Sequence, residues 1–204
     1  MGDLGSIKNN SYYANFFYLI SFSFYLINTF LNHSMFVYLS FYPLVKIILF
    51  SGVIIFLVLK TFLIDSFSIK EIFLYFLVIL LISIISINTG DRQLITLIAL
   101  VLGARNVNFR YILFSFVVIN ILLLIFTYLS ILLDIIPNLQ YSRIRDGELK
   151  VRNSFGLGYP TIFAAYLQSL VIAYAYLMKP NRLFNHFFLF FLAVITVYLA
   201  LEFA

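Results

Sequence analysis

The sequence has no cysteine, no tryptophan and few charged residues, which make up only 10% of its 204 positions. Without cysteine the chain can form no disulfide, thiolate nucleophile or cysteine-based metal site. The two histidines, His33 and His186, lie far apart, and no residues have the spacing of metal ligands, so we expect no metal and no other cofactor. A chain so poor in charge cannot cover a water-facing surface, which excludes a soluble globular enzyme, a disordered linker and a nucleic-acid-binding domain.

Apolar residues dominate instead, at 64% of the chain, with 25 Phe, 15 Tyr and a mean hydropathy of +1.07. A membrane-crossing helix needs about 20 apolar residues. The apolar stretches predict an all-α integral membrane protein that forms a single polytopic domain over residues 1–204. About seven crossing helices are expected, at 13–31, 44–64, 72–87, 93–104, 112–133, 159–178 and 187–203. The fourth stretch is short for a full crossing.

The distribution of lysine and arginine predicts the orientation, because cytoplasmic loops carry an excess of both. With the N-terminus inside, every cytoplasmic segment holds basic residues, namely Lys8, Lys60, Lys70, Arg105, Arg110, Lys179 and Arg182. Lys46 and Lys60 also lie near the ends of the second helix, where long side chains can snorkel. We therefore expect a multi-pass protein of a cytoplasmic membrane with its N-terminus inside.

One external loop, residues 134–158, violates this charge rule. It carries Arg143, Arg145, Lys150 and Arg152 against Asp134, Asp146 and Glu148. Asp146-Gly147 is a turn signal, and the loop is expected to hold a short hairpin or a short helix. Two interpretations stay open: the loop binds something anionic, or it is a solvated connection with local pairs between arginine and carboxylate.

The end of this loop has the residue types of an anion site. Arg152 is followed by a turn with two glycines and by a proline-initiated helix, whose free N–H groups and positive dipole end favour phosphate. Arginine forks also suit phosphate oxygens, as in a lipid diphosphate headgroup. The candidate substrate-binding residues are Arg92, Asn153, Ser154, Gly156, Gly158 and Tyr159. Arg152, Arg145 and Arg143 are the candidate catalytic residues, and Asp146 and Glu148 are candidate acids or bases.

Two segments resemble the bacterial polysaccharide polymerase family (Wzy-type). Residues 152–161 read RNSFGLGYPT, similar to an external family motif that precedes a crossing helix. Residues 90–113 read GDRQLITLIALVLGARNVNFRYIL, similar to a polar turn, a short apolar helix and a cytoplasmic loop of the family. Tyr159 and Thr161 depart from the family pattern, which has His or Asn and then Asn around the proline.

The resemblance implies a polytopic bundle like that of the GT-C glycosyltransferases, of which this chain would be the N-terminal half, truncated at its C-terminus. It implies a polymerase that joins undecaprenyl-diphosphate-linked repeat units at the outer face of the bacterial cytoplasmic membrane during capsule or exopolysaccharide synthesis. The implied partners are the lipid-linked glycan, the bilayer, a flippase and a chain-length regulator, and no nucleic acid. An O-antigen ligase-like glycan transferase, a non-catalytic or transport protein and an inactive fragment are the alternatives.

Overall fold

The chain is predominantly helical and contains one β-hairpin. The computed structural model describes residues 3–89, 93–145 and 148–178, together with Phe187, Phe190, Phe191 and Val194. In chain order the elements are α1 (Asp3–Asn32), a short 3₁₀ helix (Met35–Tyr38), α2 (Tyr42–Leu63), α3 (Ile69–Thr89), α4 (Gln93–Gly103), α5 (Phe109–Leu132), β1 (Gln140–Arg145), β2 (Glu148–Asn153) and α6 (Pro160–Leu177).

Five of the described helices are long and apolar enough to cross a membrane: α2, α3, α5, α6 and the Tyr12–Asn32 part of α1. They confirm the expectation of a helical chain with several candidate spans. With 11 residues, α4 covers about 16 Å, roughly half of a hydrocarbon core. The expected crossing at 187–203 lies outside the described residues except at four positions, which are helical. A count of seven crossings, and a bundle of the GT-C type, therefore stay predictions.

Four helices begin earlier than hydropathy predicts: α1 at Asp3 rather than residue 13, α2 at Tyr42 rather than 44, and α3 and α5, whose first turns polar side chains cap. Before α3, Ser68 and Glu71 form a capping box, in which the Ser68 N–H donates to Glu71 Oε2 at 2.8 Å and the Glu71 N–H donates to Ser68 Oγ at 3.3 Å. Before α5, Asn108 Oδ1 accepts the backbone N–H of Arg110 at 2.9 Å. Capping thus moves both starts ahead of the predicted residues 72 and 112.

The chain divides into two compact units, a first unit of residues 1–25 and 47–112 and a second unit of residues 26–46 and 113–204. The single polytopic domain stays a prediction. In the first unit, Ser21 Oγ donates to the Val53 carbonyl at 2.8 Å and ties α1 to α2. A Cβ on Gly103 would lie 2.4 Å from Leu57 Cδ1. The absence of a Cβ at Gly103 therefore lets the end of α4 approach α2 closely, and a larger residue would require the Leu57 side chain to shift.

The end of α2 carries a fully buried ion pair. Lys60 Nζ lies 2.6 Å from Asp65 Oδ2, and both side chains are 0% exposed. The same ammonium donates to the Arg105 carbonyl at 2.8 Å, while the Arg105 guanidinium pairs with Glu71 at 3.0 Å. Hydrogen bonding to Glu71 raises the pKa of Arg105 above its ordinary value. The expectation that Lys60 snorkels is wrong, because a buried carboxylate and a carbonyl bind its ammonium in place of water.

In the second unit, the ends of α1 and α5 meet the start of α6. Met35, just after α1, packs against Ile136, just after α5. The Met35 N–H also donates to the Gly156 carbonyl at 2.8 Å, which brings in the segment before α6. Further along, α5 and α6 share a small apolar core of Val117, Leu170 and Ala173. This unit therefore gathers the loop 134–158 at one end of its helices.

The loop 134–158 contains a hairpin, the first of its two expected forms. Strands β1 and β2 pair in antiparallel register, with Tyr141 opposite Arg152 and Arg145 opposite Glu148. The register leaves Asp146-Gly147 between the strands, and this dipeptide lies outside the described residues. Asp-Gly is among the strongest short-range signals for a two-residue hairpin connection, which explains why the sequence indicates this element.

We expect Lys60→Ala to destabilise the folded chain by about 3 kcal/mol, because it leaves the buried Asp65 carboxylate unpaired. Lys46→Ala is the matched control, since Lys46 is an exposed lysine of the same helix. The thermal stability of both variants is measured in detergent, as the fraction of monodisperse protein that is recovered after heating. The double change Lys60→Met with Asp65→Leu should restore most of the loss. Equal stability of the two alanine variants would contradict a structural role for the pair.

Candidate functional site

The segment 152–160, which carries the predicted anion site, is fixed by main-chain hydrogen bonds to residues that follow α1 and α5. The Ser154 N–H donates to the Leu139 carbonyl at 2.9 Å. The Gly158 N–H donates to the His33 carbonyl at 2.8 Å. Backbone groups near a membrane must find such partners within the protein wherever water is excluded. The segment is therefore held in place between two helix ends.

A tight turn, Ser154–Leu157, lies at the centre of the segment, and its last N–H donates to its first carbonyl at 3.1 Å. Its two central residues have positive φ, +51° at Phe155 and +74° at Gly156, as in a type I′ turn. A bulky residue rarely adopts this conformation. Phe155 is held there by a hydrogen bond from its N–H to Asn138 Oδ1 at 3.0 Å. Its ring also packs against that of Phe163, with the ring centroids 4.7 Å apart.

The two glycines of the segment have different roles. A Cβ on Gly156 would lie 2.6 Å from Thr127 Cγ2 and 3.0 Å from Ile136 Cδ1. On Gly158 the nearest atom to a Cβ would be the His33 carbonyl oxygen at 3.5 Å, an ordinary contact. Gly156 therefore lets the main chain pack closely against α5, rather than admitting a ligand as the sequence suggested. At Gly158, by contrast, there is room for a side chain.

Three consecutive residues of this segment carry buried polar atoms without a hydrogen-bond partner among the described residues: Arg152 Nε, Asn153 Oδ1 and Ser154 Oγ. Ser154 is 0% exposed, and the other two residues are half-buried. An unpaired buried polar atom costs about 1–3 kcal/mol, and folded proteins keep few of them. A guanidinium N–H and a hydroxyl can donate, and an amide oxygen can accept. Such groups can bind phosphate oxygens and hydroxyl groups, although the register puts Asn153 on the face of the hairpin opposite to that of Arg152.

Two tyrosines flank this group. The Tyr141 hydroxyl donates to the Gly158 carbonyl at 2.6 Å, and its ring lies 5.5 Å from that of Tyr159. Tyr159 is 58% exposed and precedes α6, whose first residue is Pro160; its side chain does not cap the helix. The first turn of α6 therefore keeps its attraction for an anion.

His33 reaches the same place from the end of α1, although the sequence analysis gave it no role. Its carbonyl accepts the Gly158 N–H, and its ring Nδ1 lies 2.9 Å from the Thr29 carbonyl oxygen. Because a carbonyl only accepts, this bond places the ring proton on Nδ1 and leaves Nε2 as a proton acceptor. His33 is exposed. The sequence signal that could have pointed to His33 was its predicted position, on the same side of the membrane as the loop 134–158.

The other predicted site residues are less fully described. Backbone pairing places Arg143 opposite Lys150 and Arg145 opposite Glu148 on the hairpin. Their side chains, and the whole of Asp146 and Arg92, lie outside the described residues. Among the residues that the structure describes, no three His, Asp or Glu side chains are grouped so that they could hold a metal ion.

The first unit contains a groove of about 290 Å³ between α2, α3 and α4. Its walls are almost entirely apolar, with Leu57, Ile79 and Ala99 among the lining residues, and Thr61 and Thr96 are two of its few polar ones. Such a surface suits a lipid chain and offers little to a sugar. The polar group at 152–154 is therefore the better candidate for recognition of a hydrophilic substrate.

No protein-family model, curated protein or solved structure matches this chain. The resemblance at residues 90–113 and 152–161 therefore stands on those motifs alone.

Gly156→Ala should destabilise the second unit by about 2 kcal/mol, because the new Cβ meets Thr127 and the residue must keep a positive φ. The matched change Gly158→Ala should have little effect, since its site is open and its φ is not in the left-handed region. Limited proteolysis of the loop 134–158 in detergent measures both. Equal protection of the two variants would contradict the close packing of Gly156.

Proposed function

We propose that the chain is a polysaccharide polymerase of the bacterial cytoplasmic membrane. In this proposal it transfers a growing glycan from its undecaprenyl diphosphate carrier to the next lipid-linked repeat unit at the outer membrane face. The segment 152–160 is the site of that transfer, and the helices that flank it are its membrane anchor. The product would be a capsule or an exopolysaccharide.

One observation carries the proposal: the unpaired polar atoms of Arg152, Asn153 and Ser154 lie within the motif that resembles the polymerase family. Buried atoms without partners support a site that a ligand completes. The exposed Tyr159 and the start of α6 add an apolar platform and a positive helix end beside them.

Arg152 would bind the leaving group. The acceptor hydroxyl oxygen forms a bond to the anomeric carbon of the growing chain, and the bond from that carbon to the diphosphate oxygen breaks. The bonding electrons leave with the diphosphate, so negative charge increases there. A guanidinium N–H placed at this oxygen stabilises the charge, and the half-buried surroundings of Arg152 strengthen the contact.

His33 would accept the proton of the attacking hydroxyl. Its Nε2 is the basic ring nitrogen, since Nδ1 faces the Thr29 carbonyl oxygen. The His33 carbonyl accepts a hydrogen bond from the N–H of Gly158. Gly158 lies four residues before Ile162, which is in the first turn of α6. A positioned general base contributes about 10²–10⁴-fold to a rate. Asp146 and Glu148 stay alternative bases from the sequence.

A ligase that transfers a finished glycan would use the same chemistry and stays an alternative. A transport protein would place ionisable residues along its helices at mid-membrane depth. The paired charges described here lie at helix ends instead: the buried Lys60 in the last turn of α2, the partly exposed Glu71 in the first turn of α3, and Asp65 and Arg105 in connections. This arrangement favours chemistry at a membrane surface.

Arg152→Lys should abolish polymer and accumulate single lipid-linked repeat units, because lysine keeps the charge but loses the planar fork that binds two phosphate oxygens. The measurement is the length of the polysaccharide and of the lipid-linked glycan in the source strain, with the native gene replaced by each variant. Lys46→Arg, at an exposed site, is the control and should leave chain length unchanged. Normal polymer from both Arg152→Lys and Arg152→Ala would refute the site.

His33→Gln should reduce polymer synthesis in isolated membranes by about 100-fold, because glutamine cannot take up the proton. His186→Gln, a change at the other histidine of the chain, serves as the control. Immunoblotting checks that both variants reach the membrane in normal amounts. A rate for His33→Gln equal to that of His186→Gln would exclude His33 as the base and leave Asp146 and Glu148 as the candidates.

A further inference from the structure

The hairpin has one apolar face that no described residue covers. Its register places Ile144 directly opposite Leu149, and Ser142 opposite Val151, so these four positions share one face. Ile144, Leu149 and Val151 are 72%, 66% and 55% exposed. The other face turns toward the candidate site, since Tyr141 bonds to Gly158 and Arg152 is half-buried. The apolar face therefore points away from the protein.

The hairpin is held close to the ends of two candidate membrane spans. Only short segments join β1 to α5 and β2 to α6. The Ser154 N–H bonds to the Leu139 carbonyl and closes the base of the hairpin. Leu139 in turn packs in the cluster with Ile136 and Met35, at the ends of α5 and α1. A strand of six residues spans about 20 Å, so the whole hairpin stays within that distance of the helix ends.

Exposed aromatic residues mark the same end of the second unit. Tyr38 is 77% exposed, and Phe41 and Tyr159 are each 58% exposed. Aromatic side chains, tyrosine in particular, concentrate where a bilayer meets water. The hairpin thus begins at the level where this unit presents its interfacial residues.

The sequence of the hairpin fits the same surroundings. Basic residues outnumber acidic ones in it, with Arg143, Arg145, Lys150 and Arg152 against Asp146 and Glu148. Anionic lipid headgroups attract such a segment, while a protein surface that combines apolar and basic groups can insert shallowly between headgroups.

We propose that the apolar face of the hairpin, Ile144, Leu149 and Val151, docks on the bilayer. It inserts these side chains among the headgroups and upper acyl chains of the leaflet where α5 ends. The contact fixes the height of Arg152 and Ser154 above the membrane, and it does not depend on the polymerase proposal. The occupant is lipid, rather than a second copy of the chain or another protein.

The chain offers a clean test because it has no tryptophan of its own. Leu149→Trp places a single fluorophore on the apolar face, and Lys150→Trp places one at the next position on the opposite face of the register. The full chain is reconstituted in vesicles of phosphatidylcholine and phosphatidylglycerol, with and without lipids brominated near the top of their acyl chains. Val151→Trp replaces the first variant if that one does not fold.

Brominated lipid should quench the tryptophan fluorescence of Leu149→Trp at least about twofold more than that of Lys150→Trp. Bromine quenches only a fluorophore that it contacts, so strong quenching requires the side chain to lie among the upper acyl chains. The emission of Leu149→Trp should also be blue-shifted. Water-like emission from both variants with equal, weak quenching would overturn the proposal. A blue-shifted Leu149→Trp that brominated lipid does not quench would overturn it too, by showing that protein covers the face.

Discussion

The candidate site depends on a few main-chain hydrogen bonds between a loop and two helix ends. The N–H of Met35 and the carbonyl of His33, just after α1, bond to Gly156 and Gly158, just before α6. A buried backbone N–H or carbonyl without a partner is costly, so these hydrogen bonds stabilise the arrangement. They connect the residue after α1, His33, to the segment that follows Arg152.

The two units use buried polarity in different ways. In the first unit the charges are matched: Lys60 with Asp65 and Arg105 with Glu71, all at helix ends. A matched pair stabilises a structure only when its partners stay in place. In the second unit the polar atoms of residues 152–154 are buried without partners. Asp65 Oδ1 in the first unit is also buried without a partner, so residues 152–154 are distinguished by carrying three such atoms in consecutive positions of one motif.

Hydropathy alone predicted the bounds of α2 to α6 to within a few residues, because long apolar runs have one stable form in lipid, but it placed the start of α1 at residue 13 instead of Asp3. It missed the caps at Ser68 and Asn108, which act through single side chains. The Asp146-Gly147 signal indicated a hairpin, but the sequence could not tell which face is covered. Arg152 and Ser154 were predicted as site residues from their motif, and they stay predictions. His33 was not, since its hydrogen bond to Gly158 joins distant parts of the chain. The burial of Lys60 was also missed, because it depends on a carboxylate beyond the helix.

The central claim is that the segment 152–154 binds a diphosphate. The most direct measurement is the affinity of the detergent-purified chain for a short-chain prenyl diphosphate, compared between the wild type and Arg152→Ala. The account predicts saturable binding that weakens by about tenfold or more when the charge-assisted hydrogen bonds of Arg152 are lost. Equal affinity of the two proteins, or no saturable binding by the wild type, would contradict it.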